Sequence, residues 1–397
     1  MNPETNLIVL CARTFLSTME PSYLRLSLAQ PLNWSLLEQN AENHAVMPIV
    51  AYVLTRHGNG VIHHDVLNNL RERLLRSAQN NLAWSREWLK ILQLLAESCI
   101  PAISLKGPAL GLMAYRNLAM REFTDLDLLV HPCDVLRARD ILIDNGYTLD
   151  SVMPDNSDAA LTRSSDRQIS FVKYDDRVVK LDLHWGVAEK GSSFPLEVDS
   201  LFETAFIVRH QKISFLYLLP EHVLLLLCAH GAKHCWSNLR LLCDVACHVQ
   251  SSPDLDWDLC IRLGESGNYD LVIKHSLLLA KQVLNLELPE PISQYACDMK
   301  AGALVGKART FLLRENMDRS SPDDRVRYLE ALRFHLALEK GQRFRKAVAM
   351  ILRHAFVPNE ADWRNLRLPR HLFFIYYLFR PIRLVIKQFS IIALRWR

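Results

Sequence analysis

The chain has 397 residues, half of them hydrophobic and 23% charged, with a formal net charge of +4. That length exceeds the usual single domain, so two or three packed units with substantial cores are expected. Nine cysteines without regular spacing exclude a disulfide framework and fit a reducing cytoplasm, and the apolar runs at 223–228 and 373–379 are far too short to span a membrane.

Asn2-Pro3-Glu4-Thr5 lacks the basic start of a signal peptide, and none is expected. Leu-rich segments at 7–16, 34–55 and 66–98 predict helices, the last a long amphipathic run ending near Cys99-Ile100-Pro101. Ala102-Ile103-Ser104-Leu105 predicts a short strand, from which Lys106-Gly107-Pro108 turns the chain into a helix reaching about Tyr115. A strand carrying Asp125 and Asp127 ends at His131-Pro132. A helix over 134–145 follows, closed by Gly146. Two strands, 168–174 and 177–185, are joined by a hairpin turn at Asp175-Asp176. Helices return at 221–234, 237–250, 257–263, 270–284 and 324–339. With only 13 glycines, the chain reads as a mainly helical α+β protein with a small mixed sheet. The expected units are a helical region over 1–95, an α/β core over 96–219, a helical region over 220–316 and a basic, aromatic-rich helical region over 317–397, with 317–322 as linker.

Asp125 and Asp127 are one residue apart on the expected strand, so both carboxylates leave the same face while Leu126 and Leu128 point to the core. Two such charges repel unless a cation lies between them, and Mg²⁺ favours oxygen ligands. In Val178-Val179-Lys180-Leu181-Asp182-Leu183-His184-Trp185, a third carboxylate, Asp182, shares its strand face with Lys180 and His184. On spacing alone, Asp-Leu-Asp reads as a solvent-facing strand edge. Lys-Gly upstream, Arg121 and the distant Asp182 turn that reading into a nucleotide site. Lys106 precedes a glycine at a strand-to-helix turn, where the backbone can approach a phosphate closely, but no Gly-x-x-x-x-Gly-Lys is present.

From Ser104-Leu105-Lys106-Gly107 through Tyr115, Arg121, Asp125-Leu126-Asp127-Leu128-Leu129-Val130 and Asn145-Gly146-Tyr147 to Asp182-Leu183-His184-Trp185, the chain resembles the DNA-polymerase-β-like nucleotidyltransferases. Within that superfamily it is most similar to a large bacterial group known only as uncharacterised nucleotidyltransferases. A weaker likeness continues through His230-Gly231-Ala232-Lys233-His234-Cys235-Trp236 to Leu239-Arg240 and Asp244, so the resemblance spans roughly residues 80 to 250. Better-known members carry Gly-Ser where this chain has Lys106-Gly107, and their serine contact to phosphate has no counterpart here.

The resemblance implies a polymerase-β-like core embedded in helical regions. It implies transfer of a nucleoside monophosphate from an NTP to an acceptor hydroxyl, with release of pyrophosphate and dependence on Mg²⁺ or Mn²⁺. In it Asp125, Asp127 and Asp182 are the catalytic metal ligands. Lys106 and Gly107 contact the triphosphate, and Arg121 pairs with a site carboxylate or contacts the triphosphate. Lys233, His234 and Arg240 form a basic rim facing it, with Asp244 orienting one of them. His230 reads equally as core packing. A phosphotransferase using the same Mg-NTP site and a non-catalytic nucleotide-binding protein are the alternatives. His230, His234, Cys235, Cys243, Cys247 and His248 are dense, but no Cys-x-x-Cys occurs, and buried core cysteines are preferred to structural zinc.

Residues 341–397 hold twelve Lys or Arg against Glu360 and Asp362, a local net charge of +10, so the other 340 residues sum to −6. Aromatics interleave with these cations, which suits an anionic membrane surface better than nucleic acid. A helix packed on the fold with solvated arginines is preferred to either. The expected location is the cytoplasm, with peripheral contact at the inner membrane face as the alternative.

Overall fold

The computed structural model describes residues 2–150, 167–175, 177–187, 196–210, 213–267 and 269–313, together with 352, 356, 366, 368, 372 and 374–384. The expected helix at 324–339, the linker at 317–322 and most of the basic segment lie outside the described residues.

The first helix, Pro3–Phe15, starts where the Asn2 side chain accepts from the Thr5 amide at 2.8 Å. A short helix, Ser22–Leu28, follows. The stretch expected as one helix over 34–55 is two, Trp34–Asn43 and Met47–His57. Ala45 takes φ +52° between them, and Pro48 sits in the first turn of the second. A proline there has no amide to continue the earlier helix and fits a new start. Helix His64–Glu97, 34 residues long, buries Leu67, Leu70, Ser77, Asn81, Ser85, Trp88, Ile91 and Leu95. That spacing of three, four and seven is a single stripe.

The stripe packs on helix Met47–His57 and, through Trp88, reaches a seven-stranded sheet. Its strands are β1 (Ala102–Ser104), β2 (Leu126–Val130), β3 (Thr148–Leu149), β4 (Gln168–Tyr174), β5 (Val178–His184), β6 (Phe206–His210) and β7 (Ile213–Tyr217). They are ordered β3-β4-β5-β2-β1-β7-β6. Trp88 donates its indole N–H to Ser104 on β1 at 2.8 Å and stacks edge-on against Phe215 on β7, so the long helix spans the β1–β7 seam. β2 runs parallel to β5 and antiparallel to β1. Every residue of β1 and β2 is buried, as the centre of a sheet covered on both faces requires.

The β6–β7 hairpin and the helix Val198–Thr204 before it were not foreseen from sequence. The hairpin is rich in β-branched and aromatic residues, but β6 is largely exposed on both faces, so its alternation is blurred. Beyond the sheet, helices Pro220–Lys233, Leu239–Ser251, Trp257–Ser266 and Asp270–Leu284 lie close to their expected spans. Glu290–Ala296 and Met299–Leu312 add to them.

One hydrophobic cluster runs from Leu7 to Leu312, drawing on both helical regions and the sheet. The N-terminal helix is also tied to the C-terminal helices by hydrogen bonds. Arg13 donates to the Val283 carbonyl at 2.9 Å and Thr18 to that of Leu284 at 2.6 Å. Among the described residues no helix is long and apolar enough to cross a membrane. Within 374–384, Tyr376 and Arg380 are buried while Phe374, Tyr377, Leu378 and Ile382 are exposed.

Candidate functional site

The site forms where β1 ends and β2 begins, alongside the last residues of β5 and beside helix Pro220–Lys233. Antiparallel pairing of β1 with β2 continues one step past the strand, where the Leu105 amide donates to the Asp127 carbonyl at 3.1 Å. The next two residues, Lys106 and Gly107, are thereby laid alongside Asp125 to Asp127. Gly107 has φ +59°, and an added Cβ would lie 3.6 Å from the Asp125 carbonyl oxygen. Backbone conformation, more than crowding, selects glycine at this turn.

On the other side of β2, parallel pairing with β5 sets Asp127 opposite Asp182 and Leu129 opposite His184. On β5, Leu181 and Leu183 are buried while Asp182 and His184 leave by the other face. The β4 residue opposite Asp182 is Ser170, whose hydroxyl donates to Asp182 Oδ1. His184 Nε2 lies 3.0 Å from Asp127 Oδ1. Lys106 Nζ lies 3.9 Å from Asp127 Oδ2 and donates to His230 Nδ1 at 3.3 Å. One carboxylate oxygen each from Asp127 and Asp182 and a ring nitrogen of His184 all fall within 4.8 Å of one another.

Burial alone would raise the Asp127 pKa. The Lys106 charge and the His184 contact outweigh it and hold that carboxyl well below the usual range. Asp125 goes the other way: burial, then repulsion from Asp127, raises it despite Lys106. His230 is kept neutral by burial and then by the adjacent Lys106 charge, which leaves its Nδ1 lone pair free to accept from that ammonium.

Several sequence expectations are placed differently. Asp125 precedes β2 and stands outside the triplet of converging donors, in which His184 takes the place expected for it. Sequence put His184 on the correct face but gave it no role. Arg121 is 3% exposed and grips Asp244 with two hydrogen bonds, Nε to Oδ1 at 2.7 Å and Nη2 to Oδ2 at 2.9 Å. The Tyr115 hydroxyl donates to the same Oδ1 at 2.7 Å. Asp244 therefore orients Arg121, not a residue of the basic rim, and the Arg121 carboxylate partner is Asp244 on helix Leu239–Ser251. This is a buried clamp beside the site, because full desolvation of both charges demands a bidentate pair.

Of the expected rim, Arg240 approaches most closely. Its charge reaches Asp125 and His230, and its Nη1 donates to the Glu122 carbonyl at 3.3 Å. Lys233 and His234 are exposed at the end of their helix, with the His234 ring 4.5 Å from that of His230. His230 faces Lys106, which ends the ambiguity between rim and core packing.

The family whose sequence model matches this chain is described as an uncharacterised nucleotidyltransferase, and the match covers residues 30–285. More than half of the chain is included, from just before helix Trp34–Asn43 through Lys106, Asp127, Asp182, His184 and Arg240 to the end of helix Asp270–Leu284. No curated protein matches the chain.

Proposed function

We propose that this chain, which belongs to the uncharacterised nucleotidyltransferase family, transfers a nucleoside monophosphate from an NTP to an acceptor hydroxyl and releases pyrophosphate. The observation that carries the reading is the in-register pairing of Asp127 with Asp182 on parallel strands, with Asp125 and Lys106 beside them.

The residues fit a divalent cation. Carboxylate oxygens of Asp127 and Asp182 lie within 4.8 Å of each other, and Asp125 immediately before β2 has its pKa raised by burial and then by repulsion from Asp127; oxygen donors of this kind suit a hard metal. Asp127 and Asp182 would hold it, with Asp125 immediately before the strand. When bound, the metal offsets triphosphate charge and makes an acceptor hydroxyl easier to deprotonate.

The protein's own groups do the rest. Lys106 carries a positive charge toward the β- or γ-phosphate, and the open backbone at Gly107 lets that phosphate approach. Arg240 adds charge from the helical side, and Lys233 and His234 line the outer approach. Asp182, oriented by Ser170, takes the acceptor proton as the acceptor oxygen bonds to the α-phosphorus. The bond from the α-phosphorus to the bridging oxygen breaks, and the electron pair leaves with pyrophosphate.

The test is parallel incubation of the protein, a cell extract and Mg²⁺ or Mn²⁺ with α-labelled and γ-labelled NTPs. Nucleotidyl transfer puts the α-label on the acceptor and the γ-label in pyrophosphate. A γ-labelled acceptor with a nucleoside diphosphate as co-product would assign the site to phosphoryl transfer.

A further inference from the structure

Among the donors at the site, one is not an oxygen. We infer that His184 is a direct metal ligand, so that the site's first ion is held by Asp127, Asp182 and one imidazole nitrogen and is selected as a first-row transition ion such as Mn²⁺ in preference to Mg²⁺. This rests on the nucleotidyl-transfer reading for the metal's purpose, but not for its chemistry.

The geometry carries the inference in two steps. An octahedral ion with bonds of about 2.1 Å sets neighbouring ligand atoms about 3.0 Å apart. His184 Nε2 and Asp127 Oδ1 are 3.0 Å apart, and an Asp182 oxygen falls within the same 4.8 Å envelope. Two donors from two strands thus already stand at the spacing of one coordination sphere, with an Asp182 oxygen no more than 4.8 Å from either. His184 is also held there by the fold. It lies two residues beyond Asp182 on β5, with Leu181, Leu183 and Trp185 buried on the opposite face, so rotation out of the site would break strand alternation.

Asp125 is the contrast. It precedes the strand and stands outside the three converging donors. An imidazole in the sphere disfavours Mg²⁺, which takes oxygen ligands and keeps its waters. First-row transition ions accept nitrogen more readily. The rival role for His184 is to donate a hydrogen bond to a metal-binding Asp127 and so position it from outside the sphere.

Electron spin-echo envelope modulation of the full-length protein loaded with Mn²⁺ alone separates the two roles. Direct ligation gives the modulation of a bound imidazole nitrogen, and it disappears in His184→Gln, whose side-chain amide can still donate to Asp127. Equilibrium binding adds the second readout. The ratio of the Mg²⁺ to the Mn²⁺ dissociation constant should fall about tenfold or more in His184→Gln, the scale of loss that even an outer partner's removal brings. Saturable Mn²⁺ binding without nitrogen modulation, modulation retained in His184→Gln, or an unchanged ratio would overturn direct ligation and leave the nucleotidyl-transfer reading standing. Absence of saturable Mn²⁺ binding, with or without a non-hydrolysable NTP analogue, would overturn both.

Discussion

Lys106 stands between a carboxylate and a neutral imidazole, Asp127 Oδ2 at 3.9 Å and His230 Nδ1 at 3.3 Å. Neither contact saturates its three donors, so a phosphate oxygen can be added without dismantling the pair. A hydrogen bond to a charged group contributes about 1.5–3 kcal/mol, so Lys106→Ala should raise the apparent KM for NTP about tenfold or more. Lys106→Arg should not restore it, because a planar fork does not replace a point charge wedged beside His230. An unchanged KM in both variants would return Lys106 to a purely local role. Arg121 makes the opposite prediction. Its bidentate bond to Asp244 is buried on both sides, and breaking such a pair from one side costs about 3–5 kcal/mol. Asp244→Asn should lower the urea midpoint accordingly, and a midpoint within error of wild type would contradict the clamp. The carboxylates were legible because strand alternation is local: Leu181 and Leu183 in, Asp182 and His184 out. The contact of His184 with Asp127 was not, because it depends on the register between strands more than fifty residues apart in sequence. The partner of Arg121 was not legible for the same reason, lying on a helix 123 residues away.

The turn between helices Pro220–Lys233 and Leu239–Ser251 shows how one packing contact shapes an element. Cys235 and Trp236 both take positive φ, folding the Trp236 ring back over Gly231, where an added Cβ would meet the ring at 2.3 Å. Trp236 is fully buried, so the ring has no room to retreat. Gly231→Ala should therefore destabilise by about 1–3 kcal/mol, the usual cost of overpacking, seen as a lower Tm. A variant with wild-type Tm would show that the ring repacks freely. The run His230 to Trp236 suggested a basic rim from its charges, yet half of it is packing. Left-handed backbone at two non-glycine residues leaves no mark in the sequence.

The same helix pair predicts a pH dependence. His248 donates to the Pro220 carbonyl at 2.8 Å, and burial lowers its pKa from 6.5 to about 4. The unfolded chain binds this proton near pH 6.5 and the folded chain only near 4, so stability from this residue is full above 6.5 and lost as pH falls through that window. The loss approaches about 3 kcal/mol. His248→Gln, which keeps a donor for Pro220, should show a shallower fall of Tm between pH 6.5 and 4. Parallel curves for the two proteins would remove His248 from the acid response.

At the scale of the molecule, the site depends on parts far apart in the chain. Lys106 comes from the turn after β1, Asp127 and Asp182 from the central strands, and His230 and Arg240 from the helices beyond the sheet. The shared core from Leu7 to Leu312 holds these parts at fixed distances. Helical content and the central strands could be read from periodicity, and the hydrophobic continuity between the N-terminal helices and Asp270–Leu284 could not, because each amphipathic face is silent about its partner. The central claim is that Asp127 holds the metal that makes nucleotidyl transfer possible. Asp127→Asn keeps the acceptor for His184 and most of the side-chain volume, so the fold should survive while the metal site loses a charge. The direct measurement is pyrophosphate release from NTP in the presence of acceptor and Mn²⁺ or Mg²⁺, comparing wild type with an Asp127→Asn protein of matched circular dichroism. The account predicts a rate lower by about a hundredfold or more, the scale of losing a principal electrostatic group in a transition state, and equal rates in the two proteins would contradict it.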